Sequence, residues 1–197
     1  MGDKFLLGGI CKIIHLHVME EATQSIDEHI SFEARLCAAC GLCCNGVLFH
    51  GTGLEPTDSI RALSALGLRL KRRDGQMQFQ QPCPAWKGTC CGIYDKRPQR
   101  CRDFSCRQLQ EWKVGQLSEE AAFAKIQDAK NLTERIRSLF QKLGDFRENK
   151  PFATRYAGVF TPPLNPSPES EEFRSELRVA MKSLEELLSA DFHSEVQ

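Results

Sequence analysis

The sequence predicts an α+β fold, a small cysteine-rich centre of irregular loops and one short hairpin with helices packed around it. Three observations predict it. Two stretches in the C-terminal half carry apolar residues at steps of three and four, the period of one helix face. A pair of short alternating segments around Asp74-Gly75 reads as a hairpin. Between and before them, most of the ten cysteines fall into two groups whose spacing follows neither period. A chain of 197 residues with 41% apolar side chains can build one domain and an appended helical arm. The expected division is a lead-in over residues 1–34, a cysteine-cluster domain over 35–113, and a helical extension over 114–197 that packs on it.

Taken in order, residues 12–19 alternate loosely, with Ile14, Leu16 and Val18 set against His15 and His17, which predicts a short strand. Nothing nearby completes a metal site, so the two histidines read as the strand's polar face. Residues 20–36, acidic at the start, read as a short helix leading into the first cysteine group. Cys11 stands alone and reads as a buried, passive thiol. Pro56-Thr57-Asp58 opens a helix through Ile60, Leu63 and Leu66, with Thr57 or Asp58 as N-cap and Gly67 as its stop. In the hairpin that follows, Leu68, Leu70, Met77 and Phe79 face inward. Arg69, Lys71, Arg72 and Arg73 then form a solvated face, and the second strand feeds into Cys83-Pro84.

Ser118-Glu119-Glu120 caps a long helix that reaches Leu143 and stops at Gly144. Its apolar stripe runs through Ala122, Ile126, Ala129, Leu132, Ile136 and Leu139. Residues 145–168 form a proline-rich connector, and Ser167-Pro168-Glu169 starts a last helix over 169–188 with Phe173, Leu177, Ala180, Leu184 and Leu187 on one face. Either stripe can support a dimer, but packing within the chain is the simpler expectation, and a protein partner stays unknown.

The cysteines carry the chemistry. Cys37-x2-Cys40-x2-Cys43-Cys44 puts four thiols within eight residues, too close together for most pairs to form unstrained disulfides. CxxC steps instead bring several thiolates to one point, as a metal ion or cluster requires. A second group answers it: Cys83-Pro84, Cys90-Cys91, Cys101 and Cys106. A plain zinc ribbon wants a second CxxC knuckle, which this group lacks. An iron–sulfur cluster fits three close thiolates plus a remote one, often followed by proline, and Cys83-Pro84 has that form. Zinc and iron both accept four thiolates, so the spacing leaves the metal open.

Net charge is zero over the whole chain but unevenly placed. Residues 69–113 carry 11 basic and 4 acidic side chains, an excess that coincides with the second cysteine group. With no nucleic-acid motif beside them, these cations read as offsetting thiolate charge rather than contacting nucleic acid. The opening segment has no cleavage-site pattern, and no apolar run approaches a membrane span. A cytoplasmic protein with reduced thiols, and no membrane partner, is the expectation.

The run Cys37-x2-Cys40-x2-Cys43-Cys44, then Cys83-Pro84, then Cys91-Gly92-Ile93-Tyr94-Asp95-Lys96-Arg97-Pro98-x2-Cys101-Arg102-x-Phe104-x-Cys106, resembles the YkgJ-type cysteine-cluster family. That family is described as a zinc- or iron-chelating domain with a CxxCxxCC signature, and the resemblance covers about residues 35–107. It implies eight metal ligands: Cys37, Cys40, Cys43, Cys44, Cys83, Cys91, Cys101 and Cys106, leaving Cys11 and Cys90 outside the pattern. Arg97 and Arg102 are expected to support the cofactor from outside the ligand shell, by donating to cluster sulfurs or pairing with Asp95 or Asp103. Tyr94 and Phe104 read as shields against water or as ordinary core aromatics. The expected function is chelation of zinc or an iron–sulfur cluster. The alternative is a metalloenzyme with redox or methyl-transfer chemistry, since a flagellin lysine N-methylase carries a similar signature. The absence of a glycine-rich nucleotide loop argues mildly against it.

Overall fold

A computed structural model describes residues 31–162 and 167–194 of the chain. The strand expected at 12–19 and Cys11 lie outside them. The described residues form an α+β arrangement of seven α-helices and one small antiparallel sheet.

Helix α1, Phe32–Cys40, starts on Ser31, whose side chain accepts a hydrogen bond from the Ala34 N–H, and ends at Gly41 in the left-handed region at φ 68°. Strand β1, Gly51–Gly53, follows. Helix α2, Ile60–Ala65, is capped by Ser59 rather than by Thr57 or Asp58. Asp58 has other work, since its carboxylate accepts from the backbone N–H groups of Glu55 and Gln99 and ties two loops together. Strands β2, Leu70–Arg73, and β3, Gln76–Gln80, make the expected hairpin, with Leu70 opposite Phe79. Both turn residues, Asp74 and Gly75, have positive φ (50° and 80°), as a two-residue hairpin turn demands. β1 adds to the other edge of β3, giving the order β1-β3-β2.

A 3₁₀ turn at Tyr94–Lys96 leads into α3, Gln99–Asp103, and α4, Arg107–Lys113. The long helix α5, Glu119–Lys142, has the predicted Ser118 cap and stops before Gly144. Helix α6, Phe152–Val159, interrupts the stretch expected to be a connector, and Pro151 stands at its N-cap. Helix α7, Pro168–Asp191, begins on Ser167 as expected.

α5 and α7 run antiparallel, pinned by Lys125–Asp191 at one end and Arg135–Glu176 at the other. Their apolar stripes close on each other in the main core, where Ala122, Ala129, Ile136 and Leu177 are fully shielded from solvent. α1 lies on the N-terminal half of α5, held by Phe32 against Trp112 and Phe123 and by the Arg35–Glu119 ion pair. A second, smaller core of Leu63, Leu68 and Phe79 sits beneath the sheet. The space between these two cores holds the cysteines. No helix among the described residues is long and apolar enough to cross a membrane.

Candidate metal centre

The last turn of α1 carries Cys37 and Cys40, three residues apart and so on one helix face. The left-handed Gly41 then turns the chain sharply, and the N–H groups of Cys44 and Asn45 return to the Gly41 carbonyl. This turn presents Cys43 and Cys44 directly after the helix end. Gly41 has no room for a side chain, because a Cβ would run into the indole of Trp86.

Cys83 arrives from the end of β3, and its N–H donates to the Cys44 carbonyl at 2.8 Å. The 83–92 loop folds back on itself, with Trp86 bridged to Cys91 and the Gly92 N–H donating to the Ala85 carbonyl. Cys101 comes from the middle of α3 and Cys106 from the N-cap of α4. α4 is fixed from behind by the end of α7. The Arg107 N–H donates to Phe192 O, and Gln108 Nε2 donates to Asp191 O at 2.6 Å.

All eight expected ligands are free thiols, and all eight line one cleft of about 560 Å³. Cys90 lines it too but is disulfide-bonded, which departs from the expectation that every thiol is reduced. Cys40, Cys43 and Cys106 pack against the main core, whereas Cys83 and Cys101 pack against the smaller one. Cys83 thus packs on the same side as Cys101, and Cys106 on the same side as Cys40 and Cys43. Among the described residues no three His, Cys, Asp or Glu side chains close on one point at ligating distance. The thiols ring the cleft, close enough to feel one another's charge.

That mutual influence is visible in their acidities. Burial, then the neighbouring charge of Cys106, pushes Cys37 up to about 11 even though its side chain opens to solvent. Cys40 is pushed up to about 12, by burial first and then by Cys106 and Cys37, against the Leu42 backbone N–H. Burial raises Cys43 well above the ordinary thiol range, followed by Cys40, Cys44 and Cys106. Burial also leads for Cys44, where Cys83, Cys101 and Cys91 come next. Cys101 rises to about 12 through burial and Cys83, opposed by Arg97. Cys83 and Cys106 are raised by burial too, while backbone N–H groups of Ala85 and Trp86, and of Leu109 and Gln108, favour their thiolates. Thiolates crowded in a water-poor cleft repel, so the protons stay until a cation takes their place.

Arg97 lines the cleft, stacks on Tyr94 at 3.7 Å and favours the thiolates of both Cys37 and Cys101. Arg102 instead bonds Gln99 Oε1 on the exposed side of α3. Several contributors carried no signal in the sequence. Lys130 reaches the Ala39 carbonyl and favours the Cys40 thiolate from the middle of α5. Arg69, expected on a solvated face, is half-buried, donates to Pro82 O and favours the Cys83 thiolate. Trp86 and the buried Gln81 and Gln108 complete the walls.

A cleft walled by free thiols and flanked by cations has the donor chemistry of a thiolate metal centre. Residues 36–132 match the family model CxxCxxCC, described as "Putative zinc- or iron-chelating domain". The match, just under half of the chain, supports the resemblance to this family, takes in all eight free cysteines and runs on into α5. No curated protein and no solved structure matches the chain.

Proposed function

We propose that the protein chelates zinc or an iron–sulfur cluster through the thiolates of Cys37, Cys40, Cys43, Cys44, Cys83, Cys91, Cys101 and Cys106. The observation that carries this reading is the meeting of eight free thiols from separate segments around one cleft. Arg97, Lys130 and Arg69 offset the thiolate charge, and the rings of Phe49, Trp86 and Phe104 keep water from the sulfurs. Such a centre supplies folding free energy if it is zinc and a one-electron carrier if it is iron–sulfur. A reducing compartment, in which the eight thiols persist, is part of the reading.

A second reading, a metalloenzyme with redox or methyl-transfer chemistry, rests on two buried glutamine oxygens in the cleft wall. Gln81 and Gln108, both buried in its wall, keep side-chain oxygens that no group among the described residues bonds. A substrate admitted beside the metal would find acceptors there.

Protein purified without oxygen, with its metals and acid-labile sulfide measured and its visible spectrum recorded, tests the first reading. Tightly held zinc, or iron with matching sulfide and a broad absorption near ~400 nm, is the expected result. Protein that takes up neither metal after reduction overturns it.

A further inference from the structure

We propose that the eight thiols form two separate four-thiolate sites. One comprises Cys37, Cys40, Cys43 and Cys106, the other Cys44, Cys83, Cys91 and Cys101, and the Cys43–Cys44 peptide is the wall between them. The proposal rests on the metal-binding reading above and goes further, since it divides the ligands and fixes the number of centres.

Two observations divide the cysteines in the same way. The first is packing. Cys40, Cys43 and Cys106 lie on the main core between α1, α4 and α5, whereas Cys83 and Cys101 lie on the smaller core under the sheet. The second is the backbone. The Cys83 N–H donates to the Cys44 carbonyl, and the Trp86–Cys91 bridge folds Cys91 back beside Cys83. Cys37 and Cys40 share the last turn of α1, whose Gly41 turn delivers Cys43 next to them.

The doublet then has a physical reason. Side chains of consecutive residues point away from each other in most backbone conformations, so a Cys-Cys pair serves two centres more readily than one. Arg97 lines the cleft that holds both sets. Each set has a further cation beside it, Lys130 on the Ala39 carbonyl next to Cys40 and Arg69 on the Pro82 carbonyl next to Cys83.

The test loads the reduced full-length chain with Zn²⁺ alone and counts bound metal by native mass spectrometry. Wild type is expected to hold two zinc ions, and Cys40→Ser and Cys101→Ser one each. The decisive comparison is between double variants. Cys40→Ser with Cys43→Ser, both from one set, keeps one zinc, whereas Cys40→Ser with Cys44→Ser, one from each set, keeps none. If the chain purifies with iron and sulfide, the same variants are read as iron per chain, halved or abolished. Wild-type protein loaded with ¹¹³Cd²⁺ needs no variant to fold. Two ¹¹³Cd resonances without cadmium–cadmium coupling support separate sites. Coupling through a bridging thiolate, or single variants that empty the protein completely, reveals one shared centre and overturns the division while leaving metal binding intact. Wild type that binds no metal overturns the underlying reading as well.

Discussion

Replacing Gly41 by alanine tests whether the turn that delivers Cys43 and Cys44 is held by the Trp86 ring. Two costs add at this position. Gly41 has φ 68°, and an L side chain in the left-handed region costs about 1–2 kcal/mol, partly offset by about 0.4–1 kcal/mol from a stiffer unfolded chain. A Cβ there also collides with the six-membered ring of Trp86, and overpacking of this kind costs about 1–3 kcal/mol. The sum is a loss of about 1–5 kcal/mol. Gly67 provides the control, because it has φ 86° and nothing within 4 Å of its would-be Cβ. Gly67→Ala therefore carries the conformational cost alone, about 1 kcal/mol. The assay is urea unfolding of both variants with reductant and chelator present, so that metal does not contribute. Trp86→Leu, which removes the colliding atoms, is expected to recover about 1–3 kcal/mol in the Gly41→Ala background, read as a double-mutant cycle. Equal losses at positions 41 and 67, or no coupling between 41 and 86, would refute the reasoning.

Asp145→Ala removes the carboxylate partner of Arg155, a residue only 2% exposed, and should cost about 3–5 kcal/mol in chemical denaturation. Burial alone would lift the Asp145 carboxyl, but hydrogen bonds from Arg147 and the charges of Arg147 and Arg155 hold it below the usual range. Its contribution is thus complete above the unfolded value of about 3.9 and is lost as the pH falls through the folded value, so the deficit of the variant should shrink in acid. The cysteines act in the opposite sense. As the pH rises past about 8.5 the unfolded thiols ionise first, while Cys40 and Cys101 hold their protons to about 12, so metal-free protein should lose stability progressively over that range. Chelator treatment of the loaded protein should lower its melting temperature, by the equivalent of about 4 kcal/mol where free metal stood at a thousand times Kd, and a transition unmoved by chelator would count against a structural metal.

The long helices were the most legible part of the chain. Ser118, Ser167 and Gly144 mark their ends with residues whose side chains, or lack of one, satisfy orphan backbone groups, and the structure uses each of them at a helix boundary. The hairpin was equally clear, because Asp74-Gly75 sits between segments that alternate. What escaped notice had no periodicity to betray it. β1 is Gly-Thr-Gly and exists only because β3 offers an open edge. α3 and α4 are too short for a stripe, and α6 hides behind Pro151 in a segment that composition marks as a connector. At the site, the resemblance nominated eight thiols that the structure places around one cleft, but their neighbours carried no signal. Cys106 joins the main core, away from Cys83 on the smaller one, because α4 docks on the end of α7. That contact spans more than eighty residues and leaves no local trace.

The docking of α4 on α7 also sets a timetable. The backbone behind Cys106 is completed by the Ala190, Asp191 and Phe192 carbonyls. At roughly 5–20 residues per second, the ribosome makes these on the order of 4–17 s after Cys106 itself. Cys44, Cys83, Cys91 and Cys101 have all been synthesised by then, and their mutual contacts call on nothing so late in the chain. Cys37, Cys40 and Cys43 spend the same seconds beside a Cys106 that has no wall to hold it. The last helix is therefore what completes the wall behind Cys106.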